Sequence, residues 1–190
     1  MSEDIHEMTH GADKRVALLI AVLALFLFFG ETLGKVAQHH STEDNIAASN
    51  LNNFYQAKNI RATLLKSNAV QLDLSTLTVT DEKVLDAIKK QSEEWKVTAN
   101  RYQTEPEEGM KDLRRRAEEK SLSRDLNNKR LQHYELASGL LQLAIVIASA
   151  SIITGISALV WLSALMGLGG ATLMYFGFFA PEALKFLGGH

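Results

Sequence analysis

Two apolar runs divide the chain into apolar and polar segments. Residues 16–33 contain one charged residue, Glu31, and residues 136–180 contain none. With a helical rise of about 1.5 Å per residue, the first run reaches roughly 27 Å, which suits one crossing of a bilayer core about 30 Å thick. The second run is long enough for two crossings, with a break expected at Thr154-Gly155-Ile156-Ser157. The pattern therefore predicts three transmembrane helices, the last two forming an antiparallel hairpin.

The first apolar run is open to two interpretations, because Lys14 and Arg15 precede it as they would precede a cleaved signal peptide. The run exceeds the usual apolar region of such peptides, about 7–15 residues, and no small-x-small site follows it, so we expect a retained anchor. The predicted organisation is a polar N-terminal tail (1–15), transmembrane helix 1 (16–34), a hydrophilic helical insert (35–135), a transmembrane hairpin of helices 2 and 3 (136–180) and a C-terminal tail (181–190).

The insert shows heptad patterns, in which positions at alternating spacings of four and three form the core between packed helices. In its first part these positions are Ile46, Asn50, Asn53, Ala57, Ile60 and Leu64. In its second part they are Val84, Ile88, Gln91, Trp95, Thr98 and Tyr102. We expect both sets to form the core of the insert, diluted by polar residues.

Breaks in the pattern set the expected helix ends. The first helix continues out of the first span to about Leu72, and a second runs from a cap at Thr80 or Asp81 to about Tyr102. A third begins at about Gly109 and enters the second span. The predicted fold is an all-α membrane protein: three transmembrane helices with a long helical-hairpin or coiled-coil-like insert between the first and second.

Composition narrows the function classes. The insert holds 17 of the 20 Lys and Arg and 16 of the 22 Asp and Glu. It is thus nearly neutral, and no basic domain suggests nucleic acid. The chain has no cysteine, which excludes disulfides and thiolate catalysis. It also lacks a phosphate-binding glycine loop, a nucleophile elbow and an HExxH motif, so we expect no enzyme and no cofactor.

Glu31 is the charged residue that needs explaining, because an ionised carboxylate is costly in a span unless it is paired or at the interface. Lys35 follows it at the favourable helical spacing of four, which suggests an interfacial ion pair. The alternative is a ring of carboxylates, one per subunit, that selects cations. Gly30 and Gly34 flank the position and would allow a neighbouring helix to approach.

Small residues form a second pattern within the predicted hairpin. Ala144, Ala148, Ser151 and Gly155 lie on one face of the second span, and Gly167 and Ala171 on one face of the third. Such residues let helices pack closely in lipid, where little hydrophobic force drives association. Packing within one subunit and packing between subunits both remain open from the sequence.

Basic and histidine side chains near the spans offer weaker candidates. Arg124, Lys129 and Arg130 approach the second span and could contact anionic lipid headgroups. A solvated helix face interleaved with acidic residues is the favoured interpretation. His39 with Glu43, and His6 with His10, lie four residues apart, but without further ligands we favour solvated side chains over a metal site.

Five stretches resemble one family: ALLIAVLALFL at 17–27, ETLGK at 31–35, ASNLNNFYQAKNIRATLL at 48–65, EEWKVTANRYQTEPEEG at 93–109 and IVIASASIITGISAL at 145–159. They are similar to small bacterial inner-membrane proteins classified only as a domain of unknown function. The resemblance implies a three-span bacterial membrane protein with a helical insert. It implies no catalytic residues, because none is assigned to that family.

Two counts of positive charge disagree about sidedness. Lys14 and Arg15, set against Lys35, hold the N-terminus in the cytoplasm. Over all three spans, however, the positive charges favour a cytoplasmic insert, because its side carries Lys35, Lys120, Arg124, Lys129, Arg130 and Lys185. We expect the second arrangement.

The function expected from the sequence is that of a multi-pass bacterial inner-membrane protein acting as an oligomeric scaffold or interaction protein. Its partners would be the lipid bilayer and further copies of itself, with the insert as a surface for an unidentified protein. The alternative is an oligomeric ion channel or transport accessory subunit that uses Glu31.

Overall fold

The computed structural model describes the backbone of residues 2–182 and the side chains of residues 14–182. In that part of the chain every regular element is a helix: α1 Ser2–Ser75, α2 Glu82–Thr104, α3 Met110–Thr154 and α4 Ser157–Phe179. The all-helical prediction is confirmed. The side chains of the predicted N-terminal tail up to residue 13, including His6 and His10, and residues 183–190 of the predicted C-terminal tail lie outside the described residues.

Local chemistry explains where the helices end. The Asp81 carboxylate accepts hydrogen bonds from the backbone N–H groups of Lys83 and Val84 and so caps the start of α2. Between α3 and α4, Gly155 adopts a φ of 69° and donates its N–H to the Ser151 carbonyl at 2.9 Å. Glycine reaches this left-handed conformation without steric cost, which explains the predicted break of the hairpin.

The chain forms two compact units. Of the described residues, those up to 42 and those from 124 onward make up the first, the apolar unit, and residues 43–123 make up the second, the insert unit. The apolar unit extends into the predicted insert, because α1 and α3 stay in contact beyond their apolar runs; the predicted membrane boundaries at 35 and 135 stay predictions. Ser41, for example, donates its hydroxyl to the Asn128 side-chain oxygen at 2.6 Å.

The apolar unit packs α1, α3 and α4 around small side chains. Leu23, Leu141 and Ala144 form its central buried cluster. Large apolar side chains point outward instead, with Leu165 67% exposed and Ile153 87% exposed. The helices α1, α3 and α4 are each long and apolar enough to cross a membrane.

The insert unit packs the end of α1, all of α2 and the start of α3. Ala62, Ala99 and Met110 form its buried cluster, with Tyr55, Leu65 and Tyr102 packed against it. Polar contacts link the same segments, since Ser92 of α2 donates its hydroxyl to the Asp73 carboxylate of α1 at 2.6 Å.

The predicted core positions of α1 in the insert are wrong in phase. Ile46, Asn50, Asn53, Ala57, Ile60 and Leu64 are all exposed. The main stripe of buried and half-buried positions also alternates by four and three, with Ala47 half-buried beside it, and comprises Asp44, Ala48, Leu51, Tyr55, Lys58, Ala62, Leu65 and Ala69. The contact stripe is rich in alanine, because small side chains let helices approach closely, and the larger apolar residues remain on the outer side.

The predicted core of α2 is partly right. Ile88, Trp95, Thr98 and Tyr102 are half-buried as expected, whereas Val84 and Gln91 are exposed. The fully buried residues of this helix are Ser92 and Ala99, which are again small.

Candidate functional site

An open groove of about 320 Å³ runs between α1 and α3 on the outside of the apolar unit. It is lined by Gly30, Glu31, Gly34, Lys35, Gln38, Leu131, Tyr134, Glu135, Ser138, Gly139 and Gln142. The polar members are spaced by three or four residues along each helix, which places them on one face. The groove thus brings the predicted residues Glu31 and Lys35 together with polar groups more than 90 positions away.

Glu31 is exposed at this groove and makes its hydrogen bond across it. Gln142 of α3 donates its side-chain N–H to the Glu31 carboxylate at 3.4 Å. In the described part of the chain, the hydrogen-bond partner of Glu31 is therefore Gln142 rather than the predicted Lys35. The distance is long for an N–H···O bond. An ionised carboxylate has about four acceptor sites and this bond uses one, so it can accept further hydrogen bonds.

The glycines of the groove fall into two classes. A Cβ added at Gly30 would lie 2.9 Å from the Ser138 hydroxyl oxygen, and one at Gly34 would lie 3.6 Å from the Tyr134 Cβ. These two glycines pack α1 against α3 within the chain. Gly139 differs, because an added Cβ would meet no atom within 4 Å. It leaves an open gap in the outer wall.

The small face predicted on the second span packs inside the chain. Ala144 and Ala148 are fully buried and Ser151 is buried. Ser163 of α4 donates its hydroxyl to the Ala144 carbonyl at 2.8 Å, which fixes the hairpin. This face accordingly serves contacts within the single chain.

On α4, Gly167 is buried, and a Cβ there would overlap the Leu23 side chain of α1. Ala171, which was paired with it in the prediction, is only half-buried. Gly155 makes no close contact within its own chain, because it lies in the turn with open space around it. Its role is conformational.

Sequence reasoning missed part of the α4 contact. Gly170 and Gly177 are also buried, and added Cβ atoms would lie 2.8 Å from the Leu141 Cγ and the His133 Cβ, respectively. His133 is itself fully buried, with its Nδ1 hydrogen-bonded to the Lys129 carbonyl at 2.9 Å. The spacing of Ser163, Gly167, Gly170 and Gly177 by four, three and seven was the available signal.

Two of the three predicted lipid-contacting bases are paired with carboxylates. Lys129 lies 2.9 Å from Glu182, and Arg124 lies 2.8 Å from Asp125. Arg130 is half-buried, and its Nε has no hydrogen-bond partner among the described atoms. Because this Nε is buried, it is not itself accessible to an outside ligand.

The insert unit contains a smaller groove of about 290 Å³, lined by Leu51, Phe54, Lys58, Glu107, Glu108, Leu113 and Arg116. Lys58 donates to the Glu108 carbonyl and lies 3.8 Å from the Glu105 carboxylate, so it fixes the turn before α3. Glu107 in that turn has a φ of 63°, which is strained for a residue with a side chain.

One ion pair of the insert unit shifts the pKa values of both of its members. The Lys96 ammonium lies 2.8 Å from the Asp73 carboxylate. Its hydrogen bond, followed by that of Ser92, lowers the pKa of Asp73 below the usual 3.8. The same hydrogen bond raises the pKa of Lys96 above the usual 10.5. Within residues 14–182, no three His, Asp or Glu side chains converge to hold a metal ion.

Three span-length apolar helices, an outward apolar surface and a hydrophilic helical insert define a class of helical proteins suited to a membrane. Within this class, the family model of the domain of unknown function DUF4337 matches residues 12–180, and the chain belongs to that family. The match confirms the resemblance to a domain of unknown function. Neither a curated protein nor a solved structure matches the chain.

Proposed function

We propose that this protein is an integral protein of the bacterial inner membrane that acts as an oligomeric scaffold. The observation that carries the proposal is the polar groove between α1 and α3, which opens on the outer surface of the apolar unit. Gln142 lies six residues inside the predicted second span, a depth of roughly 9 Å along a helix. Polar groups at that depth are costly when they face lipid, and they usually face another protein element.

The groove suits a helix of a second subunit. The gap at Gly139 allows close backbone approach, as small residues do at helix contacts in membranes. Glu31 and Gln142 both line the groove. The Glu31 carboxylate can accept further hydrogen bonds and the Gln142 amide can form others, so side chains of a neighbouring subunit can bond to both. Burial of this wall removes the polar surface from lipid.

The remaining surfaces have separate roles in the proposal. The half-buried Arg130 contacts an anionic headgroup at the cytoplasmic surface. The insert lies in the cytoplasm. Its helices pack there as a coiled-coil-like bundle and bind an unidentified protein. No chemical step is involved, because the proposed role is assembly.

The oligomeric mass in nanodiscs tests the proposal. We expect more than one copy per particle for the wild type and a loss of assembly for Gly139→Leu, whose Cβ meets no atom of its own chain within 4 Å and whose side chain extends into the groove. Val146→Leu, at a side chain 64% exposed on the outer apolar surface, is the matched control and should assemble normally. A wild-type monomer would overturn the proposal, and normal assembly of Gly139→Leu would remove the groove as its basis.

A cation channel is the second candidate, because the Glu31 carboxylate lies on the outer surface, where several copies can place it around one axis. Such a ring would set the local field for cations. Single-channel recording in planar bilayers distinguishes it from the scaffold, since a wild-type cation current that is absent from Glu31→Gln would favour the channel.

A further inference from the structure

The part of α1 that lies in the insert unit has a second heptad stripe, on the side away from its own core. We call this set the outer stripe: Ile46, Asn50, Asn53, Ala57, Ile60 and Leu64. Ile46, Ile60 and Leu64 are 56–60% exposed although they are large and apolar. A single chain therefore leaves a complete set of heptad core positions uncovered.

The outer stripe is also depleted of charge. Residues 45–57 contain no Asp, Glu, Lys or Arg. Between Glu43 and Ser75, six of 33 residues are charged, whereas nine of the 23 residues of α2 are charged. Solvated helix faces carry charge, and the cores of protein interfaces lack it. The composition of this face is that of a contact surface.

The polar residues of the stripe specify the geometry of the contact. In heptad terms, Asn50, Ala57 and Leu64 take the a positions and Ile46, Asn53 and Ile60 the d positions. An Asn at an a position favours a two-stranded parallel pair in one register, because its amide meets the same amide of the partner helix. A stripe with this pattern is complementary to itself.

We infer that the outer stripe docks on the same stripe of a second copy, forming a parallel, in-register pair of α1 helices. The inference rests on the proposed membrane oligomer. Both copies are inserted the same way, so their α1 segments leave the same membrane surface at the same residue and run parallel and level. Each residue of the stripe then meets its own counterpart. Confinement in one assembly raises the effective concentration, so a short stripe is sufficient.

The absence of cysteine makes disulfide mapping a direct test in the full-length protein. Asn53→Cys lies in the stripe, and Asn52→Cys, one residue away on another face, is its matched control. Ile60→Cys and Asn59→Cys form a second matched pair. In nanodiscs under mild oxidation, we expect roughly tenfold more disulfide-linked dimer at 53 than at 52 and at 60 than at 59, because Cα atoms more than about 7 Å apart cannot be bridged.

A charge test uses the same pairing. Ile60→Glu in the Asn53→Cys background places like charges opposite each other and should abolish the cross-link. Asn59→Glu in the same background should retain it. Both side chains are exposed in the single chain, so neither variant disturbs the insert core. Circular dichroism of each variant checks that the helix content is retained.

The outcomes separate the inference from the function on which it rests. Equal cross-linking at 52 and 53, or cross-links that survive Ile60→Glu, would overturn the paired stripe. Oligomeric particles without cross-links at 53 or 60 would also overturn it, whatever else covers the stripe, and would leave the scaffold intact. Monomeric particles would remove both.

Discussion

The apolar unit and the insert unit bury the same kinds of residue, and both leave large apolar side chains on their outer surfaces. The two units differ in what surrounds those surfaces. In both, helices meet through small side chains, such as Ala144 and Gly170 in the first and Ala62 and Ala99 in the second. In both, larger apolar side chains therefore remain outside. In the proposed membrane protein, lipid covers these side chains on the apolar unit, whereas those on the insert unit face water.

The outer apolar side chains of the insert unit therefore need a protein contact to remove them from water. Close packing through alanine uses little of the large apolar surface of a helix, so the surplus must be covered by something else. On the insert unit the surplus is concentrated on α1, where Ile46, Phe54, Ile60 and Leu64 are exposed. A small-residue core thus leaves the opposite face of the helix available for a second contact.

The largest expected effect is on the core of the apolar unit. Gly170→Leu drives a side chain into Leu141 and the Ala137 carbonyl, which lie 2.8 and 3.1 Å from an added Cβ. We expect a loss of stability of about 3 kcal/mol or more, at the upper end for overpacking. Gly169→Leu is the adjacent control, because its Cβ would meet only Leu140 at 3.9 Å. Thermal unfolding in detergent should separate the two, and equal stability would show that α4 does not pack as described.

A corresponding substitution of a small buried residue in the insert unit should have a smaller effect on stability. Ala99 is fully buried between helices, so we expect Ala99→Leu to destabilise the unit by about 1–3 kcal/mol. Ala87→Leu, at an exposed position of the same helix, should be nearly neutral. Hydrogen exchange of α1 and α2 amides measures both. If Ala87→Leu reduced protection as much as Ala99→Leu, the observed phase of the insert core would be wrong.

The helix ends and the core of the insert unit differ in how well the sequence predicts them. The apolar runs, the Asp81 cap and the break at Gly155 predict the helices and their ends, because each acts locally. The heptad stripe of Ile46 to Leu64 is just as visible in the sequence, but its pattern does not tell which stripe packs on the same chain. Similarly, Glu31 stands out by its charge, whereas its partner Gln142 is 111 residues away and becomes adjacent only in the fold.

The turns of the two units provide a third comparison. Gly155 has a φ of 69° and Glu107 has a φ of 63°. Gly155→Ala should destabilise the hairpin by about 1–2 kcal/mol, the usual cost of the left-handed region. Glu107→Gly should relieve a similar strain, partly offset by the greater freedom of glycine in the unfolded chain. Thermal melts of both variants check the opposite signs, and two shifts in the same direction would contradict this account.

A smaller effect on stability is expected at the groove. Glu31→Gln keeps the shape and one acceptor for Gln142, so we expect a change of about 1 kcal/mol at most, the usual net contribution of one hydrogen bond. Oligomeric mass should be unchanged if the groove needs only a hydrogen-bonding side chain. Glu31→Leu, which has no acceptor, is the comparison and should weaken assembly. Equal assembly of both variants would show that Gln142 and Gly139 alone define the contact.

The smallest effect concerns pH and the insert unit. Asp73 has a lowered pKa because Lys96 and then Ser92 hydrogen-bond its carboxylate, so its contribution to stability is present above the unfolded value near 3.8 and is lost as pH falls through the lower folded value. Lys96 has a raised pKa, so its contribution is lost only as pH rises through a folded value above 10.5. Between these limits the pair should not respond to pH. Both side chains are partly exposed to solvent, which weakens the interaction, so we expect only a slight acid-side loss of α2 protection, measured by hydrogen exchange between pH 5 and 2. Asp73→Asn should flatten that acid-side change while Asp86→Asn, an exposed carboxylate without this partner set, leaves it unaltered. An acid response that persists in Asp73→Asn would show that other carboxylates control it.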